Sequence, residues 1–102
     1  MVVVIMAMRA IPEKCLELKQ TLQALIEPTR NEKGCLSHAI FEDIENKDHF
    51  CLVGQWQTQA DWELYRQSER FSVLMGARSL LDRELGYIVN EVISSHFSNN
   101  KM

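Results

Sequence analysis

Several features that mark common classes of protein are scarce in this chain of 102 residues. It has only four glycines, and none of them has the spacing of a phosphate-binding loop. His38, His49 and His96 lie far apart, and no group of His, Cys, Asp and Glu has the spacing of a metal site. No local Ser-His-Asp or Cys-His arrangement is present, although such sets can assemble in space. The sequence therefore predicts a pocket without metal or cofactor, or one without catalysis.

Long hydrophobic runs are also missing. The longest, Val2–Met8, is too short to span a bilayer and lacks the basic flank and cleavage site of a signal peptide. The net charge is −3 with scattered basic residues, which argues against a nucleic-acid partner. Three cysteines at wide spacing fit buried thiols in a reducing compartment. We therefore expect a cytoplasmic protein with neither a membrane nor a nucleic acid as partner.

The chain length and a hydrophobic content of 46% are typical of one folded domain. We predict that this domain covers residues 1–97 and that the polar residues 98–102 form a flexible tail. The apolar run at its start predicts a strand. Pro12 suits the first turn of a helix, and Pro28 predicts that this helix ends or kinks near Glu27.

A β-hairpin is the clearest local prediction. Cys35–Phe41 and His49–Trp56 are rich in β-branched, aromatic and apolar residues, and the segment between them has turn chemistry. Thr58 and Asp61 then have the spacing of a capping box, so a helix begins almost directly after the second hairpin strand.

The segment after the hairpin contains two short helices rather than one. Its apolar stripe begins at Trp62 and Tyr65, loses its phase near Ser68 and restarts at Phe71. A last strand is predicted at Tyr87–Ile93. The order is β-α-β-β-α(α)-β, which predicts an α+β, ferredoxin-like antiparallel sheet with helices on one face.

The second face of this sheet also needs a cover. The first strand has no polar side, and the third carries Phe50 and Leu52 on one side with Cys51 and Val53 on the other. A twofold homodimer that packs sheet against sheet is the simplest cover, because such dimers are the commonest oligomers.

The segment Gly34–Phe71 resembles the antibiotic biosynthesis monooxygenase (ABM) domain family, in the dimeric ferredoxin-like α+β barrel superfamily. The matching pieces are Gly34-Cys35-Leu36, Glu42-Asp43-Ile44-Glu45, Phe50-Cys51-Leu52-Val53-Gly54-Gln55-Trp56 and Ser68-Glu69-Arg70-Phe71. The resemblance implies a barrel of two sheets and a pocket between each sheet and its own helices. It also implies cofactor-independent, quinol-monooxygenase-like oxygenation of a small aromatic ligand.

His38 and Tyr65 are the candidate catalytic residues. His38 lies mid-strand, in phase with Leu36 and Ile40, and could be a base or proton relay because imidazole titrates near neutrality. It could equally be a partly buried structural histidine. Tyr65 stands where the resemblance places a helix histidine, and its phenol could donate a hydrogen bond to a developing oxyanion. The alternative for Tyr65 is packing on the sheet beside Trp62.

Trp56, Trp62 and Arg70 are the candidate substrate-binding residues. Both tryptophans could form an aromatic pocket wall, and both could instead be core residues. Arg70 stands where the family often has a second histidine. It could hold an acidic or phenolic oxygen, or be a solvated arginine at a helix junction.

Two other functions stay open. The departures from the family's histidines allow a non-catalytic small-molecule-binding or stress-related dimer on the same scaffold. A haem-binding or haem-degrading protein would have to use Met75 or His96. That function is disfavoured, because no histidine follows Phe71 before His96.

Overall fold

A computed structural model describes residues 1–92. Its strands are β1 (Val2–Arg9), β2 (Cys35–Glu42), β3 (His49–Trp56) and β4 (Gly86–Glu91), and its helices are α1 (Cys15–Arg30), α2 (Gln59–Arg66) and α3 (Glu69–Gly76). Short 3-10 turns precede α1 at Pro12–Lys14 and follow α3 at Ala77–Leu80. The predicted end of the last strand at Ile93, His96 and the predicted tail lie outside the described residues. None of the described helices is long and apolar enough to cross a membrane.

The four strands form one antiparallel sheet in the order β2-β3-β1-β4. The first strand is therefore central, flanked by β3 and β4, and the hairpin strand β2 forms one edge. This arrangement confirms the predicted α+β, ferredoxin-like fold. The hairpin is confirmed within one residue at its first strand.

One face of the sheet carries the core. Along β1 the side chains alternate, with Val2, Val4, Met6 and Met8 buried beneath the helices. Leu18 and Leu22 of α1 pack into the same cluster. The helices cover only this face, so the apolar residues on the other side of β1 stay partly exposed in the single chain.

The first helix extends further than its proline suggests. α1 runs through Pro28 to Arg30, so the predicted end near Glu27 is wrong. Pro28 lacks the N–H that would bind one turn back, and only two helical residues, Thr29 and Arg30, follow it. The Asn31 N–H closes that turn on the Glu27 carbonyl at 3.2 Å, and Thr29 in this turn is fully buried. Tertiary packing thus offsets the missing hydrogen bond.

The predicted break between two short helices is confirmed, and each helix has its own side-chain cap. Thr58 Oγ1 accepts a hydrogen bond from the Asp61 N–H, which begins α2. Ser68 Oγ accepts one from the Phe71 N–H, which begins α3. Ser68 therefore starts a new helix where the apolar stripe loses its phase.

Gly34 joins the start of the hairpin to the start of α2. Its φ of +80° is in the left-handed region, which favours glycine. A Cβ at this position would lie 2.3 Å from the carboxylate carbon of Asp61. The Gly34 carbonyl also accepts a hydrogen bond from the Gln57 N–H at 2.8 Å. Only glycine lets these two segments approach so closely, and this contact fixes α2 over the sheet.

Candidate functional site

Five aromatic rings fill the space between the sheet and the two short helices: Trp56, Trp62, Tyr65, Phe71 and Tyr87. Tyr65 stacks on Trp56 with ring centroids 4.6 Å apart. Phe71 makes T-shaped contacts with Trp62 and with Tyr65, at ring-centroid distances of 5.8 Å and 5.4 Å. Such offset and edge contacts stabilise aromatic clusters beyond the burial of area alone. The interior beside α2 is therefore occupied by packed side chains.

His38 lies beside this cluster, on the strand β2. It is 3% exposed and pairs with Gly54 of β3. A Cβ on Gly54 would lie 3.2 Å from Trp56 Nε1 and 3.6 Å from His38 Nδ1. The imidazole of His38 and the indole of Trp56 therefore both lie over Gly54, which has no side chain.

Burial sets the protonation of His38. Loss of hydration, with a smaller contribution from the Arg30 guanidinium, lowers the pKa of His38 from 6.5 to about 4. The ring is therefore neutral at pH 7. In this state one ring nitrogen can accept a hydrogen bond and the other can donate one.

The pKa of Tyr65 is shifted in the opposite direction from that of His38. Burial raises the pKa of the Tyr65 phenol above its ordinary value, and Glu32 and Cys35 raise it further. Thr29 and Arg70 lower it, but burial has the larger effect. The phenol consequently keeps its proton at neutral pH and can donate it in a hydrogen bond. His38 therefore offers a hydrogen-bond acceptor and Tyr65 a hydrogen-bond donor, and both side chains lie next to Trp56.

Two surface clefts flank the C-terminal end of α1. One, of about 340 Å³, is lined by Arg30, Cys35 and His38 together with their neighbours on β2. The other, of about 270 Å³, lies between α1 and α3 and includes Leu25, Glu32 and Arg70 among its lining residues. The Tyr65 phenol is within electrostatic range of residues in both clefts.

Arg70 is held by an ion pair. Its Nη1 binds Glu32 Oε2, which joins the start of α3 to the turn that follows α1, across the second cleft. The two side chains are 41% and 24% exposed, so solvent reaches both. Arg70 is thus positioned at the mouth of a cleft by Glu32 and is not a solvated side chain without contacts.

The structure brings four of the five predicted site residues together. His38, Trp56, Trp62 and Tyr65 form one buried assembly, and Arg70 lies at its edge. Thr29 and Glu32 were not among the residues predicted from the sequence. A signal for Thr29 was present, since it continues the helical stripe of Leu18, Leu22 and Leu25 and is the one polar member of that stripe.

No group of three His, Cys, Asp or Glu side chains within residues 1–92 could hold a metal ion. All three cysteines are free thiols. Of the two residues considered for haem, Met75 packs against the core cluster. The other, His96, lies outside the described residues.

The open face of the sheet is apolar. Register and burial place Ile5, Phe41, Val53 and Ile88 on the side away from the helices. Phe41 is 55% and Ile88 59% exposed. An open apolar face of this kind marks an interaction surface in many proteins.

These features define a ferredoxin-like α+β protein with a buried acceptor–donor pair among aromatic rings. The chain belongs to the antibiotic biosynthesis monooxygenase family, whose model matches residues 1–77. A protein of Synechocystis described as uncharacterized is 32% identical over 60 residues, which are 59% of this chain and 41% of that protein. The chain therefore spans about two fifths of the length of that curated relative.

Solved structures agree on the fold. A Deinococcus radiodurans structure is 21% identical with a TM-score of 0.87, covering 95% of this chain and 97% of its own. A structure described as an antibiotic biosynthesis monooxygenase is also 21% identical with a TM-score of 0.83, covering 92% of this chain and 100% of its own. At this identity the likeness concerns the fold alone.

Proposed function

We propose that this protein is a cofactor-independent monooxygenase acting on a small aromatic, quinol-type substrate. In such a reaction one atom of O₂ enters the substrate ring and the other leaves as water. The substrate itself supplies all four electrons, so a quinol becomes a hydroxyquinone without another reductant. The observation that carries the proposal is the neutral acceptor His38 and the protonated donor Tyr65 on neighbouring sides of one aromatic assembly. Oppositely perturbed titratable groups are a pattern common at active sites.

The roles follow from these protonation states. With a pKa of about 4, His38 is a weak resting base and acts as a relay that shares the phenolic proton of the substrate. Tyr65 donates a hydrogen bond to the oxyanion that develops as the electron-rich ring reacts with O₂. The protein thereby contributes orientation and charge stabilisation.

The aromatic residues and Arg70 form the binding walls in this proposal. Trp56 and Trp62 exclude water from the reacting ring, which strengthens the hydrogen bonds made there. Arg70, held by Glu32 at the mouth of the α1–α3 cleft, attracts the oxygen substituent of an entering substrate.

The proposal includes a homodimer in the cytoplasm. The open apolar face formed by Ile5, Phe41, Val53 and Ile88 fits the same face of a second copy, which would close two sheets into a barrel. Three free thiols suit a reducing compartment.

Oxygen consumption with a panel of hydroquinones and anthrones, corrected for autoxidation, tests the function. We expect saturable uptake by the wild-type protein, and a loss of roughly 10²-fold in kcat for His38→Gln and for Tyr65→Phe. His49→Gln is the matched control, because this histidine lies on the opposite side of the sheet. Uptake that survives both substitutions in folded protein would contradict the proposed roles.

A second candidate is a non-catalytic small-molecule-binding dimer. It is favoured by the packing of the aromatic rings on one another and by the low pKa of His38, which makes that residue a weak base. Absence of oxygen uptake above background across the whole panel would favour this function.

A further inference from the structure

The open face of the sheet carries a cavity at the end nearest the β2–β3 turn. Its volume is about 310 Å³, and neither His38 nor Tyr65 lines it. Register places Phe41, Cys51 and Ala7 side by side on neighbouring strands. Alternation along these strands directs all three side chains away from the helices. The cavity is therefore separate from the candidate active site.

The floor and one wall of this cavity are apolar. Ala7 and Cys51 are paired across β1 and β3 and form the floor. Phe41, which pairs with Cys51 on the other side, is 55% exposed and forms the wall. A cavity of about 150 Å³ accommodates benzene, so a single aromatic ring has room beside this phenyl group.

Two guanidinium groups also line the cavity. Arg9 Nε donates a hydrogen bond to Asp82 Oδ2 at 2.7 Å, and the Arg9 Nη groups make no hydrogen bond within residues 1–92. Arg83 Nε lies 3.7 Å from Asp82 Oδ1, which is too far for a hydrogen bond. The Arg83 side chain is 62% exposed. Most N–H groups of these two arginines thus have no partner in the described part of the chain.

The acidic residues that line the cavity are engaged elsewhere. Glu42 forms an ion pair with Lys19 of α1, at 2.6 Å between Oε2 and Nζ. Asp43 Oδ1 accepts hydrogen bonds from the backbone N–H groups of Glu45 and Asn46, at 2.7 Å and 3.2 Å. These carboxylates therefore have partners of their own on the helix side and in the β2–β3 turn.

The remaining charges favour an anion. Two arginines share the single carboxylate of Asp82, so this group of three side chains carries one positive charge. A guanidinium group binds a carboxylate through charge-assisted hydrogen bonds, often two in parallel. An apolar floor beside unused guanidinium N–H groups matches a molecule that has a ring at one end and a carboxylate at the other.

We propose that this cavity binds a small aromatic carboxylate, with its ring against Phe41 and its carboxylate on the guanidinium groups of Arg9 and Arg83. The proposal goes beyond the monooxygenase function and does not depend on it, because the cavity lies on the other face of the sheet from His38.

Three probes test the proposal: benzoate, benzamide and acetate. Benzamide keeps the ring without the charge, and acetate keeps the charge without the ring. NMR titration of ¹⁵N-labelled wild-type protein at low salt gives a Kd for each probe, and the chemical-shift changes locate the site. We expect benzoate to bind roughly five- to tenfold more tightly than either of the others. The shift changes should centre on the amides of Ala7 and Cys51.

Two variants with matched controls assign the residues. Arg83→Gln removes a charge from an exposed position and should weaken benzoate roughly threefold or more without affecting benzamide. Arg78→Gln is its control, because Arg78 does not line the cavity. Ala7→Leu fills the cavity from an exposed position and should abolish binding of both ring probes. Val3→Leu, on the same side of β1 but outside the cavity, should keep it.

Three results would overturn the assignment. The first is that benzoate fails to bind or binds no more tightly than benzamide and acetate. The second is that the shift changes centre on His38 and Tyr65. The third is that Arg83→Gln or Ala7→Leu keeps the wild-type affinity for benzoate. Phe41 also lies on the proposed dimer face, so sedimentation of the same samples accompanies the titration. A dimer that does not bind benzoate would refute this site and leave the homodimer standing.

Discussion

Acid should destabilise this protein through His38. The folded protein holds the pKa of His38 at about 4, whereas the unfolded chain binds this proton near 6.5. Between these values the unfolded state carries more protons, so the free energy of unfolding falls as the pH falls. The effect is absent above pH 6.5, grows by about 1 kcal/mol per pH unit below it, and is complete near pH 4.

The size of the effect follows from the same two values. A fall in pKa from 6.5 to about 4 corresponds to at most about 3 kcal/mol of unfolding free energy. The His38 ring is 3% exposed, so water screens it little. For a domain of this size, with a stability of about 5–10 kcal/mol, such a loss is a large fraction of the total.

The measurement compares the wild type with His38→Gln by urea denaturation between pH 4 and 7.5. Far-UV circular dichroism is the suitable signal, because a protonated His38 beside Trp56 would also change tryptophan fluorescence. Carboxylates titrate in this range too, so the informative quantity is the difference between the two curves. We expect His38→Gln to lose less stability than the wild type on acidification. Parallel curves for His38→Gln and the wild type would refute a buried, neutral His38.

Two further predictions concern the backbone and the open sheet face. Gly34→Ala should cost about 2 kcal/mol or more in denaturation experiments, because it combines a positive φ with a clash against Asp61. Gly76→Ala, which has no atom within 4 Å of the new Cβ, should be neutral or slightly stabilising. For the proposed homodimer, Phe41→Glu should shift sedimentation toward a monomer and Leu64→Glu, on an exposed helix position, should not. Unchanged sedimentation of Phe41→Glu would count against the sheet face as the interface.

Local signals were sufficient for most of the fold. The hairpin, the capping residue Thr58 and the break at Ser68 depend on residues close in sequence, and each was found from them. An end of α1 near Glu27, one of the two outcomes expected from Pro28, was wrong for the complementary reason. The local preference of Pro28 disfavours helix, but burial of Thr29 in the following turn, which depends on distant residues, maintains α1 to Arg30.

In the candidate site, too, some features follow from the sequence alone and others depend on the tertiary structure. The sequence by itself determined the chemical types available, namely a histidine on each hairpin strand and a tyrosine and two tryptophans around a helix start. Only the tertiary structure decided that His38 approaches Trp56 above Gly54, and that burial lowers the pKa of one group and raises that of the other. It also decided that Arg70 meets Glu32. These relations depend on distances between residues far apart along the chain, and the local patterns of a single sequence do not encode such distances.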